Sequence, residues 1–192
     1  SEVLEGFFNN IDIPCVFLGR DVLPGATCIG VDEKPCTVEA TEYIISKGYR
    51  DILFVSPPFG HEKRIEGFIE AAENKKCRYK VLECSGLYSE ALLSFMAESD
   101  KKVGILCSGD AYAGEVMHYL HNKGFRAGRD YGIMGYDRIE LYQTITPQLT
   151  TVDNNVSLMG KKAATLILKM IRGKAVDKAT NIPYTIVKGQ TI

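Results

Sequence analysis

Two side chains of opposite charge each follow a short apolar run that predicts a β-strand. Asp137 comes after residues 133–135, and Arg64 opens a helix after the loop 56–61. A carboxylate offers two acceptor oxygens, which suits vicinal hydroxyls, and a guanidinium fork can hold a hydroxyl pair, a carboxylate or a phosphate. The alternatives are an exposed turn aspartate and a surface helix arginine. The positions favour a site for a small polar molecule.

Two more positions after predicted strands are each compatible with two roles. Tyr88 follows Cys84-Ser-Gly-Leu, and its flat ring can stack on a sugar or a base, or begin a helix as a packing residue. Asp32 ends the second predicted strand and can contact a ligand or cap the helix that starts near Pro35. Asp110 is interpreted mainly as a helix cap.

Catalytic and metal-binding motifs do not emerge from the sequence. It contains no G-x-G-x-x-G after a strand, no G-x-x-x-x-G-K-[ST] and no G-x-S-x-G. His118 and His121 are spaced to touch one metal ion from a helix, but no third ligand is evident nearby, and a solvent-facing helix surface is the alternative. We therefore expect a binding protein rather than an enzyme, with no cofactor and no metal. An α/β enzyme would need a positioned acid, base or nucleophile, and we find no such set.

Composition and charge fit an ordinary globular protein with no direct role at nucleic acid or membranes. The 192 residues are 45% hydrophobic and 24% charged, with a net charge of −1. A dense basic face against phosphates is absent, and no apolar stretch approaches the roughly 20 residues that cross a bilayer. The six cysteines form no C-x-x-C pair, and the first residues lack a signal-peptide pattern. We expect a reduced, cytoplasmic protein.

Short apolar runs alternate with amphipathic segments along almost the whole chain. Strands are predicted at 14–18, 28–31, 51–56, 79–84, 103–107, 131–135 and 182–187. Helices are predicted from apolar stripes starting at Ile65, Ala113 and Val156, and Gly48, Gly124 and Gly173 stand where helices would end. Near-continuous apolarity is typical of strands covered on both faces, so the pattern predicts a doubly wound, parallel α/β sheet. In such sheets, ligands bind beyond the carboxyl ends of the strands.

Five motifs in order resemble the lac repressor family of sugar- and purine-responsive transcription regulators. They are the strand Ile13-Pro-Cys-Val-Phe-Leu-Gly-Arg20; Val31-Asp32 with Ser46-Lys-Gly-Tyr-Arg50 and Ile52-Leu-Phe-Val55; Arg64-Ile-Glu-Gly-Phe68; Ser108-Gly-Asp-Ala-Tyr-Ala-Gly114; and Gly135-Tyr-Asp137 with Thr146-Pro-Gln-Leu-Thr-Thr-Val152 and Met159-Gly160. Together they span about residues 13 to 188.

The resemblance implies roles for single residues. In the family, the aspartate that matches Asp137 accepts hydrogen bonds from ligand hydroxyls or ring nitrogens, and an aromatic residue at the point of Tyr88 covers the ligand. Asn154 matches a polar position at the lobe crossover, although it can equally be a helix cap. Gly109 departs from the family, which commonly has asparagine there, so a simple carry-over of a sugar preference does not follow. For Arg64-x-x-Gly67-Phe68, Gly67 lets the helix pack closely and Phe68 belongs to the core.

The resemblance also implies an architecture: a two-lobed, periplasmic-binding-protein-like core of type I that closes on its ligand. We expect a partial first lobe at 1–48 and 154–180, with an exposed sheet edge and lower stability, and a second lobe at 49–153 and 181–192. In the family, closure passes through a homodimer to helix-turn-helix heads that bind operator DNA, and we expect that head to be absent from this chain. A sugar-binding protein of a transport system is the alternative function.

Overall fold

The computed structural model describes residues 13–19, 25–84 and 88–192, and in these ranges strands and helices alternate. The strands are β1 (Phe17–Leu18), β2 (Cys28–Gly30), β3 (Asp51–Ser56), β4 (Arg78–Glu83), β5 (Val103–Cys107), β6 (Gly132–Tyr136), β7 (Thr150–Asp153), β8 (Ala179–Asn181) and β9 (Thr185–Val187). The helices are α1 (Glu33–Ser46), α2 (Glu62–Asn74), α3 (Tyr88–Ala97), α4 (Asp110–Asn122), α5 (Glu140–Thr144) and α6 (Val156–Ile171). The predicted α/β class is confirmed. No helix of these described ranges has the length and apolar character needed to cross a membrane.

The chain divides into two compact units. Unit 1 consists of Ser1–Asp32 and Asn154–Pro183, and unit 2 of Glu33–Asp153 and Tyr184–Ile192. The sequence placed residues up to 48 in the first lobe, whereas helix α1 belongs to unit 2. The reason is packing: α1 lies against α2 and β5, and Ile44 of α1 fills the space that the missing side chain of Gly104 leaves in β5.

Unit 1 is built on three short parallel strands in the order β1-β2-β8. Helix α6 packs against β1 and β2, and Met159 and Ala163 are its buried residues. Asn155 precedes α6 in the left-handed conformation, and its side chain accepts a hydrogen bond from Leu158 N at 3.3 Å. Of the two neighbouring asparagines predicted as caps, Asn155 therefore caps this helix.

Unit 2 contains a six-stranded sheet in the order β4-β3-β5-β6-β7-β9. All neighbouring strands are parallel except β7 and β9, which pair antiparallel. Every residue of β5 and β6 is buried, as expected for central strands with helices on both faces. The core on one face joins α3 and α4 to the sheet through Leu53, Leu92, Ile105, Val116, Leu120 and Ile133.

Two residues of the Arg64-x-x-Gly67-Phe68 motif, Gly67 and Phe68, have the packing roles that the sequence predicts. A Cβ on Gly67 would overlap the backbone carbonyl oxygen of Lys34, so the glycine lets α1 and α2 approach closely. Phe68 is fully buried, and its ring centroid lies 5.2 Å from that of Phe54. Both predictions are confirmed.

The predicted last strand at 182–187 is split between the two units. Ile182 N donates to Gly30 O at 2.9 Å in unit 1, directly after β8, while β9 pairs with β7 in unit 2. The sequence predicts neither β7 nor β8 as a strand, because threonine, asparagine and aspartate dominate them. In β7, the two threonines are buried nonetheless, since Thr151 Oγ1 donates to a carboxylate and Thr150 N donates to Thr191 Oγ1.

Candidate functional site

The strand order of unit 2 reverses between β3 and β5, since the chain adds β4 on one side of β3 and β5 on the other. At such a switch point, the connections that follow the two strands run to opposite faces of the sheet and leave a crevice at the carboxyl ends. Ser56 ends β3 and Ser108 follows β5, and Ser108 N donates to Val55 O at 2.8 Å. Both are fully buried, and their hydroxyls lack a hydrogen-bond partner within the described residues. This edge of the sheet is the candidate site.

Arg64, in the first turns of α2, is tied into this edge by several contacts. Its Nε and Nη2 both donate to Glu33 Oε1, at 3.1 Å and 2.8 Å, and its Nη1 donates to the Ser108 carbonyl oxygen. The guanidinium carbon lies 3.8 Å from the centroid of the Tyr136 ring, which adds a cation–π contact. The guanidinium thus joins the start of α1, the end of β5 and the end of β6.

The buried ring of Tyr136 packs against this guanidinium. It is 1% exposed, and its hydroxyl donates to Cys36 Sγ at 2.9 Å. Burial raises the pKa of the Cys36 thiol to about 12, so the thiol stays protonated at neutral pH. The same cause raises the pKa of Tyr136. Both groups are therefore neutral and serve to fix the ring under Arg64.

His61 lies near both Arg64 and Asp137, since both act on its pKa. It occupies the position before α2, and its Nδ1 is buried without a hydrogen-bond partner in the described part of the chain. Burial and the nearby Arg64 lower its pKa, against the opposing effects of Glu33 and Asp137. His61 is thus neutral at neutral pH, and Arg64 and Asp137 both lie near enough to act on its pKa. That the two residues share a ligand site stays a prediction.

Asp137 directly follows β6 in a conformation that few non-glycine residues adopt, with φ of 98°. Its N–H donates to Val152 O at 2.9 Å, which anchors the turn to β7. A Cβ built on Gly109 would lie 3.5 Å from Asp137 Oδ2, so a larger residue here would make van der Waals contact with this carboxylate. The structure thus brings Gly109 and Asp137 together.

Asp110 corrects a prediction, because it does not cap helix α4. Gly109 occupies the capping position, and Asp110 is the first helical residue and is fully buried. Its Oδ1 accepts from Thr151 Oγ1 at 2.6 Å and its Oδ2 from Ile139 N at 2.6 Å. Its carboxylate therefore holds the turn after β6, on which Asp137 lies, against β7.

The surroundings of the Asp110 carboxylate also explain the glycine in the Gly135-Tyr-Asp137 motif. A Cβ on Gly135 would overlap Asp110 Oδ1, so only glycine fits beside it. Burial raises the pKa of Asp110 to about 6, although the hydrogen bonds from Thr151 and Ile139 oppose the shift. The sequence does not predict these contacts of the Asp110 carboxylate, because nothing in the spacing indicates that residues 25 to 41 positions apart meet.

Tyr88 is partly buried in unit 2. It begins α3 and packs against the core cluster of unit 2. Burial, followed by Cys84 and Glu115, raises the pKa of its hydroxyl to about 12. These neighbours belong to the β4 end and to α4, so the contacts favour the packing role of Tyr88 over the ligand role.

The last two predicted ligand residues belong to unit 1. Asp32 is exposed directly before α1, and Asn154 directly precedes the capping residue Asn155. Their proposed contacts with a ligand stay predictions. His118 and His121 have other neighbours: His118 Nε2 lies 3.1 Å from Asn122 Nδ2, and His121 Nδ1 lies 2.6 Å from an arginine nitrogen. Across residues 13–19, 25–84 and 88–192, no three His, Cys, Asp or Glu side chains are grouped to hold a metal ion.

Comparison with known sequences gives a consistent class of relatives. A family model described as a periplasmic binding protein-like domain matches residues 41–192. The chain is 29% identical over 191 residues to the ribose operon repressor of Halalkalibacterium halodurans, which covers 96% of the chain and 58% of that repressor. It is 31% identical over 144 residues to the HTH-type transcriptional repressor PurR of Vibrio cholerae, covering 70% of the chain and 43% of that repressor. The chain thus spans about half the length of these curated relatives.

Comparison with solved structures supports the same fold. A LacI family transcriptional regulator from Enterococcus faecium with bound ribose superposes with a TM-score of 0.79 at 22% identity, covering 93% of this chain and 70% of that one. A periplasmic binding protein/LacI transcriptional regulator from Alkaliphilus metalliredigens, complexed with D-xylulofuranose, gives a TM-score of 0.83 at 22% identity, covering 96% and 72%. At this identity the likeness establishes the fold, which agrees with the predicted periplasmic-binding-protein-like class.

Proposed function

The chain belongs to the periplasmic binding protein-like domain family, and we propose that it is the effector-sensing part of a lac repressor-type transcription regulator. It binds a small polar molecule, a sugar or a related compound, and releases it unchanged. The regulator is favoured over a transport binding protein because the matched curated relatives are named as transcriptional repressors. The same relatives support a binding role rather than an enzymatic one.

The observation that carries this proposal is the cluster at the reversal of strand order. His61 and Arg64 come from the connection after β3 and Asp137 from the one after β6, and both Arg64 and Asp137 act on the pKa of His61. Arg64 also donates to the carbonyl oxygen of Ser108, whose buried hydroxyl, like that of Ser56, lacks a partner within the described residues. Two buried hydroxyls without a partner within the described residues, near a carboxylate, can donate and accept hydrogen bonds and suit a ligand with several hydroxyls. A sugar is the proposed ligand class, since two solved relatives hold ribose and D-xylulofuranose.

The wider biology follows from the relatives and is proposed for the whole protein. The chain covers about half of their length, so operator binding and homodimer formation are assigned to the complete regulator rather than to this domain. A ligand controls such a protein only through a difference in its affinity for two conformations. The proposed compartment is the cytoplasm, where a regulator meets DNA, and the six free cysteines fit its reducing conditions.

A thermal-shift screen of the purified chain with sugars, sugar phosphates, nucleosides and purines tests the proposal. A ligand that binds only the folded state, present at about a hundred times its Kd, stabilises that state by about 2.7 kcal/mol. We expect a neutral sugar to raise Tm, and the variant Asp137→Asn to abolish the rise because it removes the carboxylate acceptor. Chromatography of the incubated sugar should recover it unchanged.

The matched control is Asp100→Asn, which makes the same chemical change at an exposed position before β5, at the other end of that strand from Ser108. The control should keep the full thermal shift. A shift that survives Asp137→Asn would remove Asp137 from the site. Conversion of the sugar to a product would overturn the binding role itself.

A further inference from the structure

Three side chains around the candidate site that could carry a positive charge, Arg64, Arg138 and His61, are paired or neutral in the described part of the chain. Arg64 Nη2 lies 2.8 Å from Glu33 Oε1, in a pair whose side chains are only 10% and 28% exposed. Arg138, the residue after Asp137, forms an ion pair with Asp153 at 2.8 Å. His61 is neutral because burial and Arg64 lower its pKa.

The contacts of Arg64 matter as much as its charge. A guanidinium binds a carboxylate or a phosphate best through two parallel N–H bonds from one edge. The Nε–Nη2 edge of Arg64 is occupied, since both nitrogens donate to the same oxygen of Glu33. Nη1 donates to the Ser108 carbonyl oxygen. An anionic ligand would therefore have to displace Glu33 before it could use this fork.

The negative charges of the carboxylates around the site also disfavour the binding of an anion. Asp137 acts on two neighbours, because its charge contributes to raising the pKa of both His61 and Asp110. Glu33 acts on the pKa of His61 in the same direction. In this partly buried setting, charges are screened less than at the surface, so a phosphate would meet repulsion that a hydroxyl does not.

We propose that the site takes an uncharged polyhydroxyl ligand, and that Glu33 is the specificity-determining residue that excludes phosphorylated and carboxylated sugars. Glu33 does so by occupying the Arg64 fork and cancelling its charge. The inference rests on the proposed function, because it concerns the ligand of the same site. Arg64 then acts as a positioning residue that holds the end of β5 in place, and Asp137 selects for hydroxyl donors.

The test measures binding by titration calorimetry for matched pairs of neutral and anionic ligands. The probes are ribose with ribose 5-phosphate, and glucose with glucuronate and glucose 6-phosphate. The wild-type chain should bind the neutral member of at least one pair more tightly than its anionic partner. Glu33→Gln keeps a hydrogen-bond acceptor for Arg64 but frees its charge, so it should shift the ratio of affinities toward the anion by roughly tenfold or more.

Two control variants separate this effect from changes in net charge or folding. Glu42→Gln removes the same charge from helix α1, where Glu42 pairs with the exposed Lys75 at 3.1 Å, and should leave the affinity ratio unchanged. Glu33→Asp keeps the charge on a shorter side chain and should retain the preference for the neutral ligand.

The outcomes distinguish this inference from the proposed function. Tighter binding of a phosphate or a uronate by the wild type, or an unchanged ratio in Glu33→Gln, would overturn the ligand class and leave sugar sensing intact. No binding of any member by any variant would count against both the ligand class and the proposed function. A ratio that moves equally in Glu42→Gln would assign the effect to overall charge and overturn the role of Glu33.

Discussion

The two units share one plan, parallel strands covered by helices, but differ in how much of their structure is fixed by buried contacts. Unit 2 has six strands and a continuous core on its sheet, whereas the described strands of unit 1 span two or three residues each. Buried polar side chains concentrate in unit 2, and Asp110, Thr151 and Arg64 are all hydrogen-bonded there. A rigid sheet is what can hold binding groups in a set geometry, so the candidate site belongs to the better-packed unit.

Glycines mark the same contrast. In unit 2, a Cβ on Gly104, Gly114 or Gly135 would overlap a neighbouring residue, so these glycines allow close approaches in the core. In unit 1, Gly160 in the middle of α6 has open space around it. Substitution by alanine therefore has opposite expected effects in the two units.

The largest expected difference between the units is in hydrogen exchange. Amides of β3, β5 and β6 should exchange only through near-global unfolding, while those of β1, β2 and β8 exchange through smaller openings. We expect protection factors in the central strands of unit 2 to exceed those of unit 1 by roughly thousandfold, which corresponds to about 4 kcal/mol. Mass spectrometry of peptic fragments measures this directly. Equal protection in the two units would break the comparison.

Gly135→Ala should destabilise unit 2 strongly, because the new methyl group would displace the Asp110 carboxylate from its two hydrogen bonds. Breaking a buried charged network costs about 3–4 kcal/mol, to be measured as the loss in free energy of unfolding in urea. Gly160→Ala is the matched control: it should be neutral or stabilising by about 0.5–1 kcal/mol, since alanine is the better helix former. If both variants behaved alike, close packing would not distinguish the units.

Much of the fold follows from sequence periodicity, and the exceptions have physical reasons. Central strands such as β3 and β5 are predictable because they are uniformly apolar, and helix ends because glycine adopts a left-handed conformation, as Gly48 and Gly124 do. Strand β7 is not, since its threonines look exposed until Asp110 and Thr191 supply their partners. The assignment of α1 to unit 2 depends on packing across sequence, which periodicity does not encode.

The candidate site divides in the same way. Arg64 and Asp137 are predicted from their positions after strands and from a family motif, and in the structure both act on the pKa of His61. Glu33 and Asp110 are not found, because their roles depend on contacts across 31 and 29 to 41 positions of the chain. A sequence motif therefore locates the residues at the ends of the strands. The residues that pair with these side chains or position them are found only from three-dimensional contacts.

The pH dependence of stability should report on unit 2 through Asp110. Its pKa is raised by burial to about 6 from an ordinary value of 3.8, so the folded state keeps this proton at a pH where the unfolded chain has lost it. Its contribution to stability is therefore complete below about pH 4 and is lost as pH rises toward 6. We expect a loss on the order of 2 kcal/mol over this range, measured by urea unfolding at several pH values.

Asp110→Asn is the sharpest comparison, because an amide can still accept from Ile139 N and donate to Thr151 Oγ1 but does not titrate. The difference in unfolding free energy between wild type and variant should change over pH 4 to 6 and stay constant above pH 7. His61, whose lowered pKa gives a contribution of opposite sign, is present in both proteins, so it largely cancels in the difference. A difference independent of pH would mean that the carboxylate is solvated like an exposed one.

The smallest expected effect lies in unit 1, at the start of α6. Asn155→Ala removes the side chain that accepts from Leu158 N and places alanine at a φ of 54°, so it should cost about 1 kcal/mol. Asn155→Gly keeps the left-handed conformation accessible and should cost only about a few tenths of that. Hydrogen exchange should then accelerate in α6 and leave β5 unchanged. Acceleration of both to the same degree would mean that the units unfold together, because a cap in one unit would then be coupled to the central sheet of the other.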